Sequence, residues 1–331
     1  MRKRNKLPFE EIERKVHIKK ESSSDPAYGC IPEERSVEEL LHSGIINLNK
    51  PSGPSSHQVS DYVQKILGIE KAGHSGTLDP KVVGVLPIAL DKSTRVVQML
   101  LKAGKEYVAL MHLHKEISEE ALQKCVEEHF LGKIQQTPPL RSAVKRRERT
   151  RRIYYLEILE VQDKDVLFRV GCEAGTYIRK LIHDMGLKLK IGAHMSQLVR
   201  TKAGPFTNEG WHSLHDLKDA YEFWKEGDEQ LLRKIILPVE AAVAHLPKVW
   251  VLDNAVDTLC HGADLKVPGV AKYHDFNVDV DVAVMTLKNE LVCLGRSVEH
   301  SGFLKKNDKG RIVKTHKVFM ERKTYPKFKL E

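Results

Sequence analysis

Gly73-His74-Ser75-Gly76-Thr77-Leu78-Asp79-Pro80 is the stretch on which the reading of this chain turns. Its two glycines permit a positive φ or a close backbone approach, and Pro80 pushes Asp79 towards an extended conformation. The octet is therefore a stiff bend carrying a carboxylate. Two readings of that carboxylate stand side by side. Asp-Pro is common turn chemistry, with the side chain bonding neighbouring N–H groups, and spacing alone favours this. Alternatively, the bend aims an ionised oxygen into whatever the loop faces.

Around the octet the pattern is mixed. Residues 44–48 form a short apolar strand that runs into the turn-rich Asn49-Lys50-Pro51-Ser52-Gly53-Pro54. Ser55 or Ser56 then caps a helix whose Val59, Val63, Ile66 and Leu67 recur at helical spacing. After the apolar run 82–90, residues 94–103 read as a helix with Gly104 at its C-cap, and 107–113 as a strand. Ser118 opens a further helix that Gly132 ends. Residues 153–161 and 166–172 form a hairpin, and 178–187 a helix. Strands and helices without regular βαβ alternation predict an α+β domain on a mixed, largely antiparallel sheet with flanking helices. Past Pro247 the alternation of Val278, Val280, Val282 and Val284 with Asp279 and Asp281 marks a small β-rich module ending near residue 321, with a basic tail of Lys305, Lys306, Lys309, Arg311, Lys314 and Lys317. The predicted division is an N-terminal extension over 1–40, a main domain over 41–245, and the module with its tail over 246–331. The extension reads as an arm lying on the rest of the protein, or as a partly disordered one.

Composition narrows the function classes. The 331 residues are 41% apolar and 30% charged, which fits a soluble globular chain. No apolar stretch is long enough to span a bilayer, and the charged start, Met1-Arg2-Lys3-Arg4, lacks the apolar core of a secretory leader. An intracellular, cytoplasmic protein is expected. The five cysteines are scattered without a Cys-x-x-Cys pair, so neither a disulfide framework nor a zinc site is supported. Phosphate-binding glycine loops and His-Glu-x-x-His patterns are missing from the sequence, and no cofactor or metal is expected. The net charge of +9 suits a polyanionic partner, although abundant Lys and Glu also describe a thermophile-like solvated surface.

Three other groups could carry chemistry. In Gly175-Thr176-Tyr177-Ile178-Arg179, the tyrosine and arginine share a side only if the segment is extended or lies just before a helix; otherwise Tyr177 is core and Arg179 surface. Tyr107, in Lys105-Glu106-Tyr107, is either a stacking platform or core. The run Lys145-Arg146-Arg147-Glu148-Arg149-Thr150-Arg151-Arg152 reads as a phosphate-contacting loop, since Glu148 is its one acid.

The octet resembles the active-site motif of the pseudouridine synthase B family, which includes dyskerin. Asn49-Lys50-Pro51 with Ser55-Ser56, Lys105-Glu106-Tyr107, Gln136-Thr137-Pro138-Pro139, Ser142-Ala143-Val144-Lys145, Gly175 to Arg179, and Arg200-Thr201 through Gly204-Pro205-Phe206 follow in the family's order. The likeness covers about residues 44–206. The module after 247 is similar to a PUA domain, with Gly262-Ala263-Asp264-Leu265 and Pro268-Gly269-Val270 in place. Lys81-Val82-Val83-Gly84 is similar to the archaeal branch that forms the catalytic subunit of H/ACA guide-RNA particles. The chain departs from the family at Asn49, where Asp is usual, and at Val83, where Thr is common.

The resemblance implies an isomerase that converts uridine to pseudouridine, in the T loop of tRNA, at guide-directed sites of rRNA, or both. Asp79 would act at the sugar as nucleophile or as base, paired with Arg179. Tyr107 would stack on the flipped uracil, Tyr177 would lie near C5, and Leu198 would line the pocket. Lys50 and His74 are placed among the RNA-contacting residues, Lys50 by supporting the loop. Lys145, Arg146, Arg147, Arg151 and Arg152 would grip phosphates on a loop over 140–152 that closes like a thumb. Implied partners are tRNA, rRNA, an H/ACA guide RNA, two small H/ACA proteins and a kink-turn-binding ribosomal-type protein, with no membrane. A non-catalytic RNA-binding scaffold is the alternative from another class.

Overall fold

The computed structural model describes residues 5–138 and 145–327. Two sheets organise the chain. The larger has ten strands, eight of them in the order Ile236–Pro238, Gly44–Lys50, Val83–Leu90, Ala193–Ala203, Lys105–Leu113, Asp165–Cys172, Arg149–Gln162, Gly132–Gln136. Ala72–His74 adds to Val83–Leu90, and Phe206–Thr207 to Ala193–Ala203. Every pairing in it is antiparallel except one, the short parallel ladder Val83↔Val199 and Gly84↔Arg200 at the sheet's centre. The expected α+β class and mixed, largely antiparallel sheet hold.

That parallel crossing depends on Gly84. Its φ is +116°, and a Cβ there would lie 2.3 Å from the Arg200 carbonyl oxygen. Only glycine lets the two backbones come this close beside the octet. Helices Ser56–Leu67, Leu214–Lys225 and Gln230–Ile235 bury Val59, Val63, Leu217 and Leu232 against Ile46, Leu48, Leu86 and Ile88. On the other half of the sheet, helices Glu119–His129 and Ile178–Lys188 bury Leu122, Val126, Leu181 and Ile182 over Phe168, Val170 and Ile153. Each such side chain contributes roughly 1.5–3 kcal/mol on leaving water.

Several boundaries differ from expectation for identifiable reasons. The 94–103 segment is a 3-10 turn, Asp91–Val96, followed by the helix Val97–Lys102, and Gly104 does not cap it. The Lys105 ammonium already takes the carbonyls of Leu100, Leu101 and Ala103 at 2.8, 3.1 and 2.7 Å, so no left-handed glycine is needed. The helix opened by Ser118 stops at His129, and Gly132 (φ +76°) begins the next strand instead of ending the helix. Arg149 to Arg152 are not loop. They start the Arg149–Gln162 strand, paired with Gly132–Gln136.

The smaller sheet runs Val16–Ile18, Val270–His274, Lys248–Val251, Asp281–Met285, Leu291–Ser297, Arg311–Val318, Leu265–Lys266. Its first strand comes from the N-terminal arm, which is thus woven into the C-terminal module (Val16↔His274). The 40/41 boundary also cuts the helix Val37–Ser43, whose Leu40 and Leu41 belong to the core of the larger sheet. Through Val16–Ile18 and Val37–Ser43 the arm is tied to both sheets. The module's last strand ends at Val318, close to the expected end near 321, and beyond it Tyr325 is buried and donates to Glu290 Oε2 at 2.6 Å. Within the basic tail, Arg311 pairs with Asp264 at 3.0 Å, and Lys317 donates to the Arg95 carbonyl at 3.4 Å. A shared apolar cluster, including Ile45, Val85, Leu100, Trp250, Met285 and Leu291, packs the two sheets together.

Candidate active site

The octet is held from behind at several points. Ser55 caps the helix Ser56–Leu67 through Gln58 N, and this frees Ser56 to face the loop. Its fully buried hydroxyl accepts from Leu78 N at 2.9 Å and donates to Leu78 O at 3.1 Å. Ser75 N donates to Pro87 O at 3.0 Å, and Gly53 N donates to Pro80 O at 2.9 Å. Val82 N bonds Asp79 O at 2.9 Å, closing a β-turn with Pro80 at its second position, where the ring's fixed φ belongs.

Two buried cations complete the support. Lys50, 0% exposed, gives its ammonium protons to the carbonyls of Pro51, Pro80 and Val82 at 2.8, 3.0 and 2.9 Å. Burial pulls its pKa below the usual lysine value, and the nearby Asp79 charge partly restores it. Its protons are thus committed behind the loop, which is the support that the sequence reading gave Lys50. Arg200, 1% exposed, donates to Val85 O at 2.7 Å and to Gly76 O at 3.2 Å. Gly76 presents that carbonyl with φ +109°, a region closed to most L-residues. Arg200 carried no role in the sequence reading, because an arginine buried in a sheet centre has no sequence signature. Its surroundings justify one, since burial works against its charge and Tyr107 offsets that cost.

In front of the loop the character changes. Asp79 and Arg179 form an ion pair, with side chains 54% and 55% exposed. Tyr107 lies directly across the ladder from Arg200, where the strand shifts register between Glu106 and Tyr107. Such a shift re-aims side chains. Burial raises the Tyr107 pKa, against the pull of Arg200, and the Asp79 charge also reaches it. Tyr177 is the residue immediately before the helix Ile178–Lys188, extended at φ −94°, ψ 103°, which is the junction that the sequence reading required. Leu198 is half-buried on the Ala193–Ala203 strand, opposite Ala109 and against the core. The structure thus gathers Asp79, Arg179 and Tyr107 around one bend, with Tyr177 two residues from Arg179.

His74 ends the Ala72–His74 strand, its ring edge-on to His57 with centroids 4.9 Å apart. Burial, with His57 and Arg200 adding, keeps its pKa below the ordinary histidine value. Lys145, Arg146, Arg147 and Arg152 are exposed, whereas Arg151 is half-buried and donates to Gly175 O at 3.2 Å. The motif Ser142-Ala143-Val144, Pro139 and the start of the thumb lie outside the described residues. Among the described residues no helix is long and apolar enough to cross a membrane.

Comparison with known proteins places this geometry. The model of the TruB family pseudouridylate synthase N-terminal domain matches residues 64–178, and that of the tRNA pseudouridylate synthase B C-terminal domain matches 179–244. A DKCLD domain matches residues 4–60, and a PUA domain matches 247–319. The chain is 57% identical to the probable tRNA pseudouridine synthase B of Pyrococcus furiosus over 96% of this chain and 94% of that one. It is 53% identical to the protein of the same description from Methanopyrus kandleri, over 98% and 96%. Among solved structures, a Cbf5-Nop10-Gar1 complex matches with a TM-score of 0.93 at 56% identity, over 98% of this chain and 99% of that one. An H/ACA RNP bound to a substrate RNA containing 2'-deoxyuridine matches with a TM-score of 0.91 at 53% identity, over 97% and 99%.

Proposed function

Because the chain belongs to the TruB family of pseudouridylate synthases, we propose that it isomerises uridine to pseudouridine in tRNA and at guide-directed sites of rRNA, with Asp79 as the reacting carboxylate. The observation that carries the residue assignment is the half-exposed Asp79–Arg179 pair, its carboxylate on a loop that Lys50, Ser56 and Arg200 brace and its guanidinium on the helix Ile178–Lys188.

The reaction breaks the N1–C1′ bond, turns the uracil and rejoins it through C5; the C5 proton leaves and N1 gains one. The target base must leave its stack, at a cost of a few kcal/mol that is least in a loop. Asp79 then meets the ribose, either attacking it as a nucleophile or taking a ribose proton to start elimination. Arg179 orients the carboxylate, Tyr107 offers its ring to the extruded base, and Tyr177 serves at C5. Leu198 supplies apolar wall. Lys145, Arg146, Arg147 and Arg152 would meet phosphates, a role that their exposure supports. A non-catalytic scaffold has no use for a solvent-facing carboxylate and guanidinium on so rigid a mount.

Residues 41–245, with the helix Val37–Ser43 that their first boundary cuts, serve as the catalytic unit, and 246–331, the PUA unit with its basic tail, hold guide RNA, the N-terminal arm tying the two together. Small H/ACA proteins and a kink-turn-binding ribosomal-type protein are the protein partners of this reading, and the cytoplasm of an archaeal cell is its setting. One assay tests it: pure protein is given a tRNA transcript and an rRNA fragment, each with and without an H/ACA guide RNA, and pseudouridine is mapped. Product in tRNA without guide, and in rRNA only with guide, is expected. No product under any condition would refute the reading.

A further inference from the structure

One buried side chain beside the site has no part in that reaction. Gln136 ends the Gly132–Gln136 strand and is 3% exposed. Its amide makes two bonds to a single residue: Oε1 accepts from Tyr177 N at 3.0 Å, and Nε2 donates to Tyr177 O at 3.2 Å. This is the exchange of a β-ladder pair, made by a side chain in place of a backbone. Tyr177 is the N-cap of the helix Ile178–Lys188, yet has no side-chain cap bond of its own. Its extended conformation is held from outside, by Gln136.

What that clamp prevents is specific. The Tyr177 carbonyl already accepts from Leu181 N at 2.9 Å, the first bond of the helix. Without the second bond from Gln136 Nε2 and the tie on its N–H, Tyr177 could turn to helical dihedrals and lengthen the helix by one residue. Two residues apart in a continuous helix point about 200° away from each other around the axis. The ring would then leave the side that Arg179 serves. The clamp is itself well anchored. Gln136 is in register with Arg149 of the neighbouring strand, and two residues further on Arg151 grips the Gly175 carbonyl at 3.2 Å. Thr176 Oγ1 bonds Glu173 O at 2.7 Å and closes the turn from below.

We propose that Gln136 is a positioning residue for pseudouridine formation: its amide locks the Tyr177 backbone outside the helix, and so holds the tyrosine at C5 of the substrate base. The proposal rests on the reading that Tyr177 serves at C5. It also explains the residue type. Asn is a methylene shorter and cannot span both bonds. Glu has the right reach and can accept from Tyr177 N, but it presents a second oxygen to the Tyr177 carbonyl where a donor is needed.

The test uses the full chain and a tRNA T-loop transcript under single-turnover conditions, with wild type, Gln136→Ala, Gln136→Glu, Tyr177→Phe and the double variant Gln136→Ala/Tyr177→Phe. Both Gln136 variants are expected to slow conversion about 10–100-fold, as displacement of a reacting group does, while RNA affinity stays within about twofold. Substrate deuterated at C5 is expected to show a larger isotope effect with Gln136→Ala than with wild type. In the Tyr177→Phe background, Gln136→Ala should cost little more. Melting curves check that the variants fold, and Gln136→Glu keeps the volume filled. Wild-type speed in both Gln136 variants, parallel loss of rate and affinity, or an undiminished cost in the Tyr177→Phe background would each overturn the proposal. A wild-type protein that forms no pseudouridine would sink the functional reading beneath it, which is a separate and recognisable result.

Discussion

The front and the back of the octet use the same residue types for opposite ends. In front, Arg179 meets Asp79 with both side chains more than half exposed. Behind, Lys50 and Arg200 are as buried as any aliphatic residue, and they spend their protons on the carbonyls of Pro51, Pro80, Val82, Val85 and Gly76. A cation in water pairs weakly and can exchange its partner, whereas one in the interior must be fully bonded to persist. The lesson is that exposure decides whether a cation near a carboxylate is reagent or mortar.

That contrast can be broken experimentally. The largest effect after that of the carboxylate itself should come from the front. Arg179→Ala is expected to slow turnover about 10²–10³-fold, the usual loss for a group that stabilises a reacting charge, while RNA affinity and thermal unfolding barely change. Single-turnover rates beside binding isotherms check this. Equal loss of rate and affinity would make Arg179 a phosphate contact. Lys50→Met should do the reverse. It removes the ammonium from three carbonyls, of which Val82 O is buried and Pro80 O keeps Gly53 N, and should cost about 1–3 kcal/mol in denaturant unfolding, with activity falling because the bend loosens. An unchanged unfolding midpoint would dissolve the distinction between front and back.

A smaller effect should separate the basic residues from one another. Replacing Arg146, Arg147 and Arg152 by Gln is expected to weaken RNA binding and to flatten its salt dependence, by about one unit of slope for each phosphate no longer gripped. Arg151→Gln should do so least, since Arg151 is already bound to Gly175 O, and a salt titration distinguishes them.

The smallest effect lies far from the loop, at the junction of arm, main sheet and PUA unit. Burial, with Arg14 adding, pushes both His245 and His274 down to about 4. Between roughly pH 6.5 and 4 the unfolded chain binds protons that the folded chain refuses. Stability present above that window is therefore lost as pH falls through it. Melting temperatures across the window should drop by a few degrees, and His274→Gln should lessen the drop.

Much of this was legible in the residues, and the failures have causes. Ser118, the 165–172 strand and the Tyr177 junction are written in local chemistry, through capping oxygens, alternation and a glycine turn. The central Ala193–Ala203 strand was not, because a strand whose Arg200 and Lys202 are buried by pairing lacks an apolar face to read. The arm's place in the second sheet was equally hidden. Val16–Ile18 is three residues long, and its partner lies more than 250 positions away. At the site, Asp79, Tyr107, Tyr177 and Arg179 could be named from motifs. The supports Gln136 and Arg200 stood in quoted motifs without a role, and Ser56 only as an alternative helix cap, since what they touch is main chain, which sequence does not display.

The most direct trial is Asp79→Asn, an exchange that keeps shape and removes charge. Conversion of uridine in a tRNA transcript and the dissociation constant for the same RNA should be measured side by side. No pseudouridine is expected to form, while the transcript binds as tightly as to wild type. Appreciable product from that variant would contradict the role given to the Asp79 carboxylate.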